Sequence, residues 1–191
     1  MAGVAASILA ETPHEKFALA GLSMGGYVAL EIVRQARHRI TRLALLDTSA
    51  RADTPEQSQK RRDFIELSER GRFLGVTDAL LPLLIHRDRI HDAPLVAVIK
   101  DMARNTGREA FIRQERAIMS RANSLPLLTS IGCPTLILCG RQDALTPLDR
   151  HEEMASRIPG ARLEIIEACG HMSTLEKPAE VSAALRRWLT E

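Results

Sequence analysis

Four short apolar runs recur along the chain, and stretches with helical spacing separate them. Phe17 to Ala20, Leu43 to Leu46, Thr135 to Cys139 and Leu163 to Ile166 read as strands buried on both faces. Strands that alternate with helices form a parallel sheet with right-handed crossovers, because each helix returns the chain to the end of the sheet where it started. Thr146-Pro147 and Lys177-Pro178 announce two of those helices, since proline at a first helical position gives up an N–H that has no partner there. Met1 to Leu9 is apolar but lacks a basic leader and is too short to span a bilayer. It reads as a helix rather than a signal peptide or anchor.

The rhythm breaks between the second and third runs. Ser49 to Ser130 holds no convincing strand but four amphipathic stretches, Pro55 to Arg70, Phe73 to Ile85, Pro94 to Asn105 and Glu109 to Ser120. Thr54-Pro55 and Asp92-Ala93-Pro94 carry capping signals, and Gly71 and Gly107 punctuate helix ends. The expected organisation is therefore a core of residues 1–48 and 131–191 interrupted by an all-helical insertion, 49–130. An insertion above the carboxyl edge of a parallel sheet sits where ligands enter, so it fits either a second helical layer or a cap over a substrate.

A chain of 191 residues with net charge +2 suffices for one buried core and shows no basic run, which argues against nucleic-acid and membrane partners. Cys133, Cys139 and Cys169 are odd in number and lie in or beside apolar runs, which suits reduced thiols in a cytoplasmic protein.

Directly after the first run comes Gly21-Leu22-Ser23-Met24-Gly25-Gly26, followed by the helical pattern of Tyr27 to Ala36. This places the Ser23 hydroxyl on a sharp strand-to-helix turn, with Gly21 and Gly25 sparing it two Cβ atoms and the next helix aiming free N–H groups at it. A serine hydroxyl is nearly inert at neutral pH, so a nucleophile there needs a base and a group to orient that base. Gly140-Arg141-Gln142-Asp143 follows the third run, and Cys169-Gly170-His171-Met172-Ser173 follows the fourth. In a parallel sheet these loops open on the rim that carries Ser23. Asp47, at the end of the second run, is another acid with access to that rim. His14, His38, His86, His91 and His151 read as surface or capping residues, and His86 to His91 with Asp88 is too irregular for a metal set.

The elbow at Gly21 to Gly26, the segment Pro134 to Pro147 and the segment Gly170 to Pro178 resemble the cap-bearing α/β-hydrolases, and the order serine, acid, histidine is that of the fold. The resemblance covers essentially the whole chain, most vaguely in the insertion. It implies a partial α/β-hydrolase fold with a parallel sheet of about four strands. It also implies that Ser23 attacks, His171 accepts its proton, Asp143 fixes the imidazole and the Met24 N–H holds half of an oxyanion. The activity it implies is hydrolysis of a small ester or thioester through an acyl-enzyme, with no cofactor and no metal.

Two further readings accompany it. One is a hydrolase-derived binding module with little turnover; the other is a lyase or C–C hydrolase on the same scaffold. A dinucleotide site fits poorly, because Leu22-Ser23-Met24 stand where the glycines of a phosphate-binding turn belong. The resemblance also implies further strands and a second oxyanion donor upstream of Phe17, to be found if the start is assigned late within a longer gene. Losing one such donor costs a serine hydrolase about 3 to 4 kcal/mol. The Phe17 to Ala20 strand would then form an uncovered edge, which predicts either self-association of the chain through it or poor solubility. Phe64, Phe73 and Phe111 are candidates to line an apolar pocket, and Arg61 or Arg62 to meet a carboxylate.

Overall fold

A computed structural model describes residues 1–191 apart from Arg72 and Leu74. Helix α1 (Ala2–Glu11) precedes strand β1 (Phe17–Leu22), α2 (Met24–Ala36) and β2 (Ile40–Leu46). Then come α3 (Pro55–Arg70), α4 (Leu81–Leu84), α5 (Ala93–Met119) and α6 (Leu125–Leu128). The chain returns through β3 (Thr135–Gly140), α7 (Leu148–Arg157) and β4 (Arg162–Ile166), and closes with α8 (Ser173–Glu176) and α9 (Pro178–Thr190). All pairings are parallel, in the order β1-β2-β3-β4.

Side chains alternate across the sheet with the period of a strand, and the two faces bury different partners. Leu43, Leu45 and Ile137 pack with Val28, Leu30, Ile32 and Val33 of α2, Leu128 of α6 and Met154 of α7. Ala44, Leu46, Leu136 and Leu138 face the other way onto Val181, Ala184 and Trp188 of α9. The result is a three-layer α/β sandwich, the fold class that the alternation of runs predicts. Every residue of β3 is buried. Strand β1 departs from the expected burial on both faces: Ala18 and Ala20 are exposed, because among the described residues β1 pairs with β2 alone and α9 packs over β2 to β4.

Between β2 and β3 the described residues contain helices and no strand. Helix α3 starts in a reciprocal capping box, in which Thr54 accepts from the Gln57 N–H and the Gln57 side chain accepts from the Thr54 N–H. Asp92 caps α5 by accepting from the Leu95 N–H. The two expected stretches on either side of Gly107 form the two halves of α5, kinked where Gly107 leaves helical geometry at φ 75° and ψ 167°. The expected helix from Phe73 to Ile85 shrinks to α4 and one tight turn at Asp78–Leu80. Gly75, at φ 65°, breaks the run, and Arg72 and Leu74 lie outside the described residues. Among the described residues no helix is long and apolar enough to cross a membrane.

Candidate active site

The turn after β1 is held in a conformation that an L-residue resists. Ser23 sits at φ 51° and ψ −116°, the geometry of the first central residue of a type II′ turn, a place normally taken by glycine. Its N–H donates to the Leu46 carbonyl at 2.9 Å, and its carbonyl accepts from the Gly26 N–H at 2.9 Å and the Thr48 hydroxyl at 2.7 Å. The bend requires glycine at two positions. A Cβ on Gly21 would stand 2.3 Å from the Gly25 carbonyl oxygen, and one on Gly26 would stand 2.4 Å from Thr48 Oγ1. Gly25, expected from sequence to be the second, has nothing within 4 Å of its would-be Cβ; Gly26 takes that part because it faces Thr48, just beyond β2. Met24 begins α2, so its N–H is among those that find no acceptor within the helix.

The two later loops meet this turn. His171 Nε2 lies 2.9 Å from Ser23 Oγ, and His171 Nδ1 lies 2.8 Å from Asp143 Oδ2. Asp143 and His171 are 4% and 3% exposed, dry enough to strengthen both contacts. Asp143 is saturated with donors: Oδ1 accepts from the Leu145 and Thr146 N–H groups at 2.8 and 2.9 Å, and Oδ2 also accepts from the Thr146 hydroxyl at 2.7 Å. Burial alone pushes this carboxyl upward, but the hydrogen bond and charge of His171 and the donors of Thr146 outweigh it and hold Asp143 below the ordinary carboxylate value. An imidazole held between a carboxylate and a hydroxyl, in a site this dry, has the geometry with which a general base can take a proton from an alcohol.

The helical segment after β2 rests on the histidine loop. The Met172 N–H donates to the Leu84 carbonyl at 2.9 Å, and a Cβ on Gly170 would stand 2.7 Å from the Ile85 backbone. The Glu176 carboxylate joins the two, accepting from the Gly170 N–H on one oxygen and the His86 N–H on the other, each at 2.7 Å. Sequence reasoning gave Glu176 no role. Its signal was an acid two residues before a proline-started helix.

The remaining sequence candidates fall elsewhere. Asp47 does not hydrogen-bond to His171; its oxygens take the Gly140 N–H and the Ser173 hydroxyl. Arg61 is already paired with Asp53 at 2.9 Å and Glu115 at 2.8 Å, and Arg62 bonds to the Gln59 side chain. Phe64 is exposed, whereas the Phe73 and Phe111 rings pack together at 5.4 Å. His14, His38 and His91 are exposed, and His86 accepts from the Asp88 N–H as a cap. His151 corrects the expectation of a surface residue: it is fully buried, and its Nε2 accepts from the Thr48 N–H at 2.9 Å. That acceptor role puts the ring proton on Nδ1, which faces the Pro147 carbonyl at 3.4 Å.

Asp47 and His151 are linked to stability with opposite signs. Burial raises the Asp47 carboxyl to about 7 and lowers the His151 imidazole to about 4. Asp47 binds its proton more tightly folded than unfolded, so its contribution is greatest at low pH and fades as pH rises from about 4 to about 7. His151 binds its proton less tightly folded, so its contribution is full above about 6.5 and fades as pH falls toward about 4. Each changes stability by about 1.4 kcal/mol per pH unit, and across the shared window the two cancel. Asp47→Asn removes one side of this balance. Its urea midpoints should imply a loss of about 3 kcal/mol between pH 6.5 and 4 relative to the unsubstituted protein; parallel pH profiles for the two proteins would refute the cancellation.

A strand-turn-helix nucleophile position, a histidine after the last strand and an acid after the one before it define a class. The chain belongs to the alpha/beta hydrolase fold family, whose sequence profile matches residues 1–178. Among curated relatives, it is 27% identical to a pimeloyl-[acyl-carrier protein] methyl ester esterase of Aromatoleum aromaticum, over 94% of this chain and 76% of that one. Among solved structures, it superposes on a thermophilic esterase from Thermogutta terrifontis with a TM-score of 0.86 and 33% identity, covering 98% of this chain and 68% of that one. An enol-lactonase from Burkholderia xenovorans aligns with a TM-score of 0.81 and 26% identity, over 100% and 72% of the two chains.

Proposed function

We propose that the chain is a serine hydrolase that cleaves small carboxylic esters or thioesters through an acyl-enzyme on Ser23. The observation that carries this reading is the continuous hydrogen-bonded line from Ser23 Oγ through both nitrogens of His171 to Asp143, at 2.9 and 2.8 Å. In the first half-reaction, His171 Nε2 takes the hydroxyl proton as Ser23 Oγ bonds to the carbonyl carbon. The carbonyl oxygen gains charge beside the Met24 N–H, at the positive end of α2, where a preorganised donor needs no rearrangement. The imidazolium, stabilised by Asp143, then gives its proton to the departing alkoxide or thiolate. A water molecule repeats the sequence on the acyl-enzyme and releases the acid. The helical segment 49–130 acts as the cap, since its Leu84 to His86 stretch already rests on the histidine loop. That its similar proteins include esterases and a lactonase supports acyl-oxygen cleavage as the reaction.

Treatment with a fluorophosphonate tests the reading directly. Intact mass should rise by one phosphonyl group, carried on the peptide containing Ser23, and Ser23→Ala should abolish both labelling and hydrolysis of p-nitrophenyl butyrate. Folded protein that stays unlabelled, or that is labelled at another residue, would remove Ser23 as the nucleophile.

A further inference from the structure

Three consecutive residues at the end of β2 touch every loop of the site. The Leu46 carbonyl accepts from the Ser23 N–H, and the Thr48 hydroxyl donates to the Ser23 carbonyl, so the nucleophile turn is gripped from both sides. Between them, Asp47 is completely buried and sits at φ 44°, a left-handed conformation that a non-glycine residue adopts only when its surroundings hold it there. Its N–H donates to the Leu138 carbonyl at 2.9 Å. Its carboxyl group reaches across the rim: Oδ1 accepts from the Gly140 N–H at 3.0 Å, at the root of the loop that carries Asp143. Oδ2 accepts from the hydroxyl of Ser173, two residues beyond His171.

We propose that Asp47 is a positioning residue, a pin that joins the acid loop to the histidine loop so that His171 keeps its contacts with Ser23 and Asp143 at the same time. The proposal rests on the serine-hydrolase reading above. Asp47 hydrogen-bonds to none of Ser23, His171 and Asp143, and acts through Gly140 and Ser173. A carboxyl suits the place because two donors, an N–H and an O–H, converge on it from different elements. Alanine leaves both donors unpaired in a dry site and frees the two loops from each other. Asparagine keeps one oxygen for the Gly140 N–H, and its amide can donate to a Ser173 hydroxyl that turns to accept.

The test combines turnover with an observation of the imidazole. With p-nitrophenyl butyrate, Asp47→Ala should lower kcat by about 10- to 100-fold while KM stays within about twofold, since misplacing a base by an ångström acts on the chemical step. Asp47→Asn should restore kcat to within about fivefold of the starting protein, and Ser173→Ala should cost several-fold by removing one arm of the pin. In the double variant Asp47→Ala/Ser173→Ala the two losses should not multiply, because both break the same link. By proton NMR, the low-field His171 Nδ1–H resonance of the charge-assisted bond to Asp143 should weaken in Asp47→Ala and return in Asp47→Asn.

A merely structural role predicts a lower melting temperature with kcat and the resonance unchanged in the folded protein, and that result overturns the proposal. If Asp47→Ala does not fold, wild-type kcat and an unaltered resonance in Ser173→Ala overturn it equally. Were the parent protein inert toward esters and fluorophosphonate, the serine-hydrolase reading would fall, while loss of the resonance in Asp47→Ala would still uphold the pin.

Discussion

Asp143→Asn should lower kcat/KM for p-nitrophenyl butyrate by about 10⁴-fold with little loss of folded protein. The size follows from how the loop would orient an amide. Two backbone N–H groups, of Leu145 and Thr146, converge on Asp143 Oδ1, so the amide oxygen of an asparagine must occupy that position. Its NH₂ then replaces Oδ2 and points at His171 Nδ1, where the carboxylate now accepts. Donor facing donor is resolved by moving the ring proton to Nε2, which turns a hydrogen toward Ser23 Oγ in place of the lone pair that should receive its proton. Geometry is kept and basicity at the useful nitrogen is lost. A decline smaller than about tenfold would show that His171 does not depend on this tautomer, and that Asp143 has been misassigned.

Gly140→Ala should destabilise the fold by about 3 kcal/mol or more, a large effect for one methyl group, and remove hydrolysis with it. The added Cβ would stand 2.1 Å from the Gly170 carbonyl oxygen and 2.5 Å from that of Cys169, both backbone atoms of the histidine loop. Neither can swing aside as a side chain would. That loop is tied to the acid loop by Arg141 and Gln142, whose N–H groups donate to the Ile166 and Cys169 carbonyls. Relief therefore requires the two loops to part, carrying Asp143 and His171 away from each other. Gly25→Ala is the matched control: its Cβ meets nothing within 4 Å on a helix, so stability should hold or rise by up to about 1 kcal/mol. Urea unfolding of both variants decides the matter, and equal midpoints would contradict the close approach at Gly140.

The contrast between those two glycines marks where the sequence could be read and where it could not. Gly21 was legible because it lies between an apolar run and a helix, where a tight bend must come; which of Gly25 and Gly26 faces Thr48 depends on the helix phase at one residue. The loops carrying Asp143 and His171 were legible for a similar reason, since each begins where an apolar run stops and a parallel sheet brings such stops to one rim. His151 reads as a surface or capping residue when it is judged only by its distance from the strand ends that carry the site. It precedes Met154 and Ile158 by three and seven residues, the spacing of one buried helix face, and that periodicity was the better guide. Asp47 reads as an acid near the rim, but its contacts with Gly140 and Ser173 join segments 93 and 126 residues apart. No local pattern encodes a pairing of that kind. The lost helix at Phe73 to Ile85 reflects the opposite error, in which apolar spacing outweighed the glycine at position 75.

The backbone of Ser23 has a consequence for how this chain tolerates change. The II′ conformation burdens any side chain with about 1 to 3 kcal/mol, and the grip of Leu46 and Thr48 must sustain that load whether or not a substrate is present. Glycine would rest there at ease, so the sturdiest version of this protein and the version that keeps the hydroxyl proposed to attack an ester differ at a single residue. Robustness selected without regard to chemistry would discard the hydroxyl first.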